Sequence, residues 1–173
     1  MNTRILAAVV AIISLALGGY LGTKQFRVTD APPDLSKLVQ LELPDVEKNV
    51  RNGSEWVGKV VIVNHWATWC GPCREEIPML IDYQEQMADQ GVQIIGVAHD
   101  LLDSVRIFGD EVGISYPSLV AIVGGNELLV AHGNNKSGAL PFTAVFDRDG
   151  KITGTTLGVL SLPELKSMVQ PLL

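Results

Sequence analysis

Short apolar runs alternate along this chain with a segment in which apolar positions recur at helical spacing. Residues 60–64 (VVIVN) and 92–98 (VQIIGVA) are apolar and mostly β-branched, which is typical of strands buried on both faces. Between them, the apolar positions of residues 74–90 fall near one stripe of a helix. Pro78 should kink this helix or tighten its first turns, and Gly91 ends it. The pattern therefore predicts a strand–helix–strand unit in the middle of the sequence.

Weaker signals lie on either side of this unit. Upstream, residues 38–43 (LVQLEL) begin a short β-like stretch. Downstream, a short helix is predicted over residues 101–112, with Asp100 as its N-cap. Strands are then predicted over residues 116–123 and 128–132, because a GGN turn separates two apolar stretches there.

Paired strands and a closing helix are predicted near the C-terminus. Residues 142–146 and 151–156 flank the sequence DRDG, in which Gly150 suits the left-handed position of a hairpin turn. Ser161 and Glu164 form a capping box that opens an amphipathic helix. The order of elements predicts an α/β fold with a central mixed β-sheet and helices on both faces.

A continuous apolar segment stands apart at the start of the chain. Residues 5–22 carry no charge over 18 positions, and basic residues flank them on both sides. A transmembrane helix takes about 20 apolar residues, and the apolar part of a secretory signal takes about 7–15. We therefore expect residues 1–22 to be a signal anchor or a cleaved signal peptide, with a buried core helix as the remaining alternative. A linker at 23–37 and a folded domain at 38–173 would then follow outside the cytosol.

Composition and charge exclude several classes of protein. The 173 residues fit one domain, and the 47% hydrophobic content is ample for a packed core. The net charge of −6 argues against a nucleic-acid-binding protein, which would carry a basic patch. Two cysteines are too few for a disulfide-stapled miniprotein or for a zinc site built from cysteines alone.

The chemistry of the chain is concentrated at Cys70 and Cys73. A strand is expected to end just before them and a helix to begin at them, which places a thiol at a helix N-terminus. Free N–H groups and the helix dipole stabilise a thiolate there. Cys70, nearer the exposed end, is the expected nucleophile, and Cys73, one turn deeper, is expected to resolve the mixed disulfide. Pro72 fixes the backbone of the first helical turn.

Two other roles for this pair compete with redox chemistry. A structural disulfide across so short a loop would remove little entropy from the unfolded chain. A zinc site needs about two more ligands, and the three histidines, His65, His99 and His132, lack the spacing of a metal motif. Redox chemistry is therefore favoured, with no metal and with the Cys70–Cys73 disulfide in place of a cofactor.

The surrounding sequence resembles a known family. The string WCGPC at 69–73 resembles the active site of thioredoxin, and NHWATWCGPCREEIP at 64–78 resembles the membrane-anchored periplasmic reductases of the TlpA/ResA type. The resemblance continues through GALPFT at 138–143 and DRDGKI at 147–152, and it covers roughly residues 38–172. It implies a thioredoxin-like three-layer fold and thiol–disulfide oxidoreductase activity.

The resemblance also implies a substrate-binding surface. Pro141 matches the cis-proline of the family, which lies beside the cysteine pair, where the backbone of Leu140 would pair with a bound peptide. Phe142 stands where many relatives carry a threonine. Trp69, together with Pro72, is expected to form part of an apolar platform around the nucleophile on which partner proteins dock.

Glu76 is the expected proton acceptor of the site. It lies three residues after Cys73 and therefore on the same helix face. Thioredoxin carries a buried aspartate on the preceding strand, where this chain has Asn64, and Glu76 matches an acid that ResA-type proteins use near their thiols. We expect a desolvated Glu76 to take the proton of Cys73. The alternative is a surface glutamate that complements the helix dipole, a role that suits Glu75 better.

The remaining aromatic and histidine residues point less clearly to a role. Trp66 fits the core and the platform equally well. His65 replaces an apolar residue usual in relatives, and we expect it to be partly buried and hydrogen-bonded, with tuning of the thiolate as the alternative. His99 and His132 are expected to be structural.

The favoured function is that of a thiol–disulfide reductase at the bacterial inner membrane, with its domain facing the periplasm or soluble there if the signal is cleaved. The resemblance implies clients with disulfides, such as apocytochrome c or copper-site proteins, and electrons from a membrane thiol carrier of the DsbD/CcdA type. A thiol oxidase or isomerase on the same fold and a copper-binding assembly factor using Cys70 and Cys73 are the alternatives. A peroxidase is disfavoured because Thr68 lies two residues before Cys70, not three.

Overall fold

The computed structural model describes residues 36–39 and 41–173. The apolar segment at 5–22 and almost all of the expected linker at 23–37 lie outside these residues. Within the part described, no helix is both long enough and apolar enough to cross a bilayer.

A five-stranded mixed sheet forms the centre of the fold, and a two-stranded sheet lies beside it. The strands in the described residues are β1 Glu42–Pro44, β2 Val50–Asn52, β3 Val60–Trp66, β4 Val92–Ala98, β5 Ser118–Val120, β6 Phe142–Phe146 and β7 Ile152–Leu157. The central sheet has the order β5-β4-β3-β6-β7, in which β3, β4 and β5 are parallel and β6 and β7 are antiparallel to their neighbours. All of β3 is buried, as its apolar run predicts.

Helices cover both faces of this sheet. They are α1 Ser36–Val39, α2 Gly71–Met87, α3 Leu102–Val112, α4 Gly125–Gly133 and α5 Leu162–Val169, with short 3-10 turns at Gly53–Trp56, Ala88–Gln90 and Gln170–Leu172. On one face, α2 packs through Leu80, α5 through Leu165 and α3 through Val105. On the opposite face, α4 packs through Leu129 and α1 through Leu38. The predicted α/β fold with a mixed sheet is confirmed.

Local signals near the C-terminus are confirmed, except that only half of the capping box forms. Gly150 has a φ of 73° in the turn between β6 and β7, a backbone conformation that glycine adopts without steric cost. The hydroxyl of Ser161 accepts a hydrogen bond from the backbone N–H of Glu164 and so caps α5. The carboxylate of Glu164 does not complete the box, because it accepts a hydrogen bond from Thr156 on β7 instead.

Three local predictions are wrong. Residues 128–132 lie in α4 and not in a strand. Their apolar side chains have no helical period, because buried residues occur on more than one side of this short helix. Residues 38–43 are divided between the end of α1 and the start of β1. Leu101, and not Asp100, is the N-cap of α3, and Asp100 binds the backbone N–H and hydroxyl of Thr68 instead.

Candidate active site

The two cysteines lie where the central strand β3 passes into α2. Cys70 is the N-cap of α2, and its Sγ accepts a hydrogen bond from the backbone N–H of Cys73 at 3.3 Å. The two sulfurs are bonded to each other in a disulfide. A sulfur in this position faces the unpaired N–H groups of the first helical turn, so that a thiolate formed there on reduction is stabilised.

The two sulfurs differ in their access to solvent. Cys70 is 6% exposed, whereas Cys73 is completely buried. Trp69, directly before them, is 69% exposed, and Pro72 is also exposed in the first turn of α2. The outer sulfur is therefore the one that a large partner can reach, and the exposed indole beside it offers an apolar contact.

A cis peptide bond joins Leu140 and Pro141, as expected from the resemblance. Leu140 is half-buried and packs against the apolar cluster that contains Cys70 and Cys73. The start of β6 is thus brought to the disulfide, although the two segments are about seventy residues apart in the sequence. The structure thus places Leu140, from the expected peptide-binding loop, against the cysteine pair.

Glu76 is buried beneath this site, with only 2% of its surface exposed. Its Oε1 accepts a hydrogen bond of 2.7 Å from Nδ2 of Asn64, and its Oε2 accepts one of 2.7 Å from the backbone N–H of Leu160. Nδ2 of Asn64 also donates to the hydroxyl of Thr143 at 3.0 Å. The alternative of a surface glutamate is therefore wrong for Glu76, while Glu75 is exposed.

Burial raises the pKa of the Glu76 carboxyl above its ordinary value, and the hydrogen bonds from Leu160 and Asn64 oppose this effect. A carboxyl group of this kind holds its proton at a higher pH than a surface glutamate does. It is one turn of α2 away from Cys73, the buried member of the disulfide. The site thus combines an accessible sulfur, a sealed sulfur and a buried acid.

Comparison with known proteins decides the family. The sequence profile of the Redoxin family matches residues 27–170. The chain belongs to the Redoxin family. It is 30% identical to the thiol-disulfide oxidoreductase ResA of Oceanobacillus iheyensis, over 95% of this chain and 84% of that protein. It is 27% identical to ResA of Geobacillus thermodenitrificans, over 96% of this chain and 94% of that protein.

A solved structure agrees with this assignment. A thiol:disulfide interchange protein of the thioredoxin family from Chlorobium tepidum superposes with a TM-score of 0.66 and 30% sequence identity, covering 76% of this chain and 92% of that one. This member of the Redoxin family is therefore a thiol–disulfide oxidoreductase of the TlpA/ResA type with a thioredoxin-like fold. Its reaction is the exchange of a dithiol for a disulfide.

Sequence reasoning missed a group of buried polar atoms in this Redoxin protein. The side chains of Trp66, Tyr116 and Ser118 each bury a nitrogen or oxygen atom that has no hydrogen-bond partner among the described residues. Gly96 makes room for them, because a Cβ atom there would lie 2.9 Å from Nε1 of Trp66. Burial, reinforced by the charge of Glu76, raises the pKa of Tyr116. A glycine within a buried strand was the available sequence signal for this close packing.

Sequence reasoning also missed that the three histidines meet. His65 is completely buried, not partly buried as expected, and it hydrogen-bonds to both His99 and His132. Because side chains alternate along a strand, His65 points to the face of the sheet opposite to Asn64 and Glu76. The histidines therefore lie behind the sheet and not among the groups that surround the sulfurs.

Proposed function

We propose that this protein works as a reductase of disulfides in client proteins, with Cys70 as nucleophile and Cys73 as resolving thiol. The observation that supports this assignment is the difference in access: Cys70 reaches the surface at a helix N-terminus, and Cys73 is sealed beneath it. A client disulfide meets only the outer sulfur. The inner sulfur can then attack the outer one without leaving the helix.

The reduced protein would act in two exchange steps. The Cys70 thiolate attacks one sulfur of the client disulfide, which forms a mixed disulfide and releases the other client sulfur as a thiolate. The Cys73 thiolate then attacks the sulfur of Cys70, forms the intramolecular disulfide and releases the second client thiolate. Two electrons pass to the client, whose thiolates take up two protons, and a dithiol donor must reduce the Cys70–Cys73 pair again.

Glu76 supplies the base that the second step requires. Cys73 must lose its proton before it attacks, and it is buried where water does not reach it freely. Glu76 is close along α2 and is held by two hydrogen bonds, so its carboxylate is oriented before the reaction begins. A raised pKa makes the proton transfer from a thiol less uphill than it would be to a surface glutamate.

The client would bind across the surface around Cys70. Trp69 and Pro72 are exposed on one side of the sulfur, and Leu140 and Pro141 approach it from the other. An extended client segment can pair with the backbone at Leu140 while its apolar side chains contact the indole. No cofactor beyond the cysteine pair and no metal takes part in this scheme.

The cellular setting of this reaction follows from the resemblance and from the N-terminal apolar segment. We assign the protein to the periplasmic face of the bacterial inner membrane, with residues 1–22 as anchor or as signal peptide. Clients such as apocytochrome c or copper-site proteins, and a membrane thiol donor of the DsbD/CcdA type, fit a reductase held there. Nucleic acid is not among its partners, given the net charge of −6.

Trapping experiments test the reaction and its direction. Cys73→Ser should accumulate mixed disulfides through Cys70 that are visible on a non-reducing gel, whereas Cys70→Ser should accumulate none. Acid quenching of cells followed by alkylation with a mass-tagged maleimide reads the redox state of the natural protein. A reduced pair in an oxidising compartment supports the reductase, while a fully oxidised pair in cells with an intact donor would instead support the oxidase.

A further inference from the structure

Three histidine rings form a continuous hydrogen-bonded chain on the face of the sheet opposite to Glu76. Nδ1 of His65 lies 2.9 Å from Nε2 of His99, and Nε2 of His65 lies 2.9 Å from Nδ1 of His132. His65 on β3 is therefore the middle ring, and both of its nitrogens are engaged. His99 directly follows β4, and His132 lies in α4, so the chain connects three separate elements.

The number of hydrogens that this chain can hold is limited. A neutral imidazole has one N–H and one bare nitrogen. Two hydrogen bonds join the three rings, so the third N–H is at a free end, on Nδ1 of His99 or on Nε2 of His132. One added proton occupies the other free end and leaves both hydrogen bonds intact. A second added proton places two hydrogens between one pair of nitrogens and breaks the bond there.

The surroundings disfavour added protons. Burial lowers the pKa of His65 well below its ordinary value, and the two neighbouring histidines reinforce the effect. Burial lowers the pKa of His132 to about 4; the backbone of Lys37 opposes this shift and its ammonium group reinforces it. Burial also lowers the pKa of His99. The three histidine rings are therefore uncharged at neutral pH.

The charged groups near the chain come from three elements. Lys37 of α1 faces His132. Asp100 and Glu127 line the same cavity of about 470 Å³ as His99, at the ends of β4 and α4. From β6, the rings of Phe142 and Phe146 are apolar neighbours of the chain. The first added proton therefore goes to the His99 end, where carboxylates and the cavity lie, and the inner rings resist a second.

The histidine chain lies directly behind the redox site, on the opposite face of the sheet. His65 is five residues before Cys70 on the strand that leads into α2. Its partner in the neighbouring strand is Phe142, which follows Pro141. At the other side, α4 approaches so closely that a Cβ atom on Gly125 would lie 2.6 Å from Nδ1 of His99. The histidine chain is therefore built on β3 and packed against β6, the two strands that lead to the nucleophile and to the peptide-binding loop.

We propose that His99, His65 and His132 form an acid-sensitive latch, which holds β3, β4 and α4 together while it carries at most one extra proton. Uptake of a second proton breaks one of its hydrogen bonds, loosens the back of the redox site and slows thiol–disulfide exchange. The histidines act through β3 and β6 and are positioning residues. The latch does not depend on which client the protein reduces.

Nuclear magnetic resonance of the full chain labelled with nitrogen-15 tests the latch directly. The sequence has three histidines, so every imidazole signal comes from one of the three hydrogen-bonded rings. Near pH 7.5, each ring should show one protonated and one bare nitrogen. His65 and His132 should not titrate near the ordinary histidine value of about 6.5. Independent titration of all three rings at that value would overturn the proposal.

Variants connect the latch to activity. His65→Phe removes both hydrogen bonds and keeps an aromatic ring against Phe142. The phenyl ring packs in place of the imidazole and no charged rings repel one another there, so we expect its exchange rate at about pH 7.5 to stay within about threefold of the wild-type rate. Between about pH 5 and 3, the second proton enters, because burial lowers the pKa of His132 to about 4. The wild-type rate should fall about tenfold more than that of the variant over this range, since protonation of Cys70 lowers both rates equally. Equal losses in the two proteins would overturn the proposal.

Two further variants keep the test decisive if His65→Phe does not fold. His99→Asn removes only the cavity end of the chain, so both added protons must be carried by the buried rings of His65 and His132, and acid inactivation should move to lower pH. Asn126→Ala changes the same cavity wall without touching a histidine and should keep the wild-type pH profile. Acid inactivation of His99→Asn at the wild-type pH, or an altered profile in Asn126→Ala, would contradict the latch.

Discussion

At the scale of single residues, the site depends on one buried carboxyl group whose partners come from distant parts of the chain. Asn64 is on β3, and Leu160 lies between β7 and α5, 84 positions after Glu76. The resemblance predicts Glu76 as an acid near the thiols. It does not predict the Leu160 contact, because a bond across so long a separation depends on how the whole chain folds.

Glu76→Gln should remove the proton acceptor while keeping the local structure. Glutamine keeps the volume and one oxygen for the N–H of Leu160, and Asn64 can turn its unpartnered Oδ1 toward the new amide. The resolving step should slow by about a hundredfold, a typical effect for loss of a general base. It should also lose the part of its pH profile in which the rate rises as Glu76 ionises. Stopped-flow kinetics with a small disulfide measures both effects, and the exposed Glu75→Gln is the control.

The carboxyl group of Glu76 also makes the free energy of unfolding depend on pH. Its pKa is raised in the folded state, so the folded protein binds more protons than the unfolded chain above the ordinary value of about 4.5. The free energy of unfolding of the wild type therefore decreases as pH rises from there through the raised pKa. Glu76→Gln should lack this decrease in urea titrations, and an unchanged pH dependence would show that Glu76 is not desolvated.

At the scale of elements, two helical glycines have opposite roles. Gly133 ends α4 against β6 and β7, and a Cβ atom there would lie 2.9 Å from Cγ2 of Thr155 and closer still to the ring of Phe142. Gly109 in α3 has no atom nearer than 3.9 Å to such a Cβ. The first glycine allows close packing, whereas the second only weakens its helix.

Alanine substitution at Gly133 and at Gly109 should therefore change the free energy of unfolding in opposite directions. Gly133→Ala should destabilise the protein by about 1–3 kcal/mol, as overpacking in a core does. Gly109→Ala should stabilise it by about 0.5–1 kcal/mol, because alanine favours the helix and restricts the unfolded chain. Urea unfolding at neutral pH measures both values. Equal effects of the two substitutions would contradict the close approach of α4 to the sheet.

The elements that sequence could predict are those with a clear local signal. The buried strands β3 and β4, the helix α2 and the turn at Gly150 all follow from apolar runs, period and turn residues. The helix α4 was predicted as a strand because its apolar residues 128–132 show no helical period. The histidine chain could not be predicted either, because its rings lie 34 and 67 positions apart and meet only after β3, β4 and α4 have packed.

At the scale of the whole molecule, the direction of electron flow is linked to which redox form is more stable. Oxidants such as DsbA have a more stable reduced form. If this protein is a reductase, its folded oxidised form must be the more stable one, because electrons then leave the reduced form readily. The thermodynamic cycle joins the two properties, so stability measurements test the direction without a client.

Thermal unfolding of the oxidised and reduced forms should therefore give a higher Tm for the oxidised form. The free energy of unfolding should be higher for the oxidised form by about 2 kcal/mol, the small chain-entropy contribution of so short a disulfide loop. The double variant with serine at both cysteine positions, Cys70 and Cys73, should show the same Tm with and without reductant. A higher Tm for the reduced form would favour the oxidase alternative.

The exposed indole of Trp69 beside the disulfide allows intrinsic fluorescence to report when a client binds. Trp56 and Trp66 are buried at 4% and 0% exposure, while Trp69 is 69% exposed. A collisional quencher in solution therefore reaches one of the three tryptophans and leaves the fluorescence of the other two almost unchanged. A client that docks on the platform covers that one indole, so the loss of quenching counts bound clients without any label.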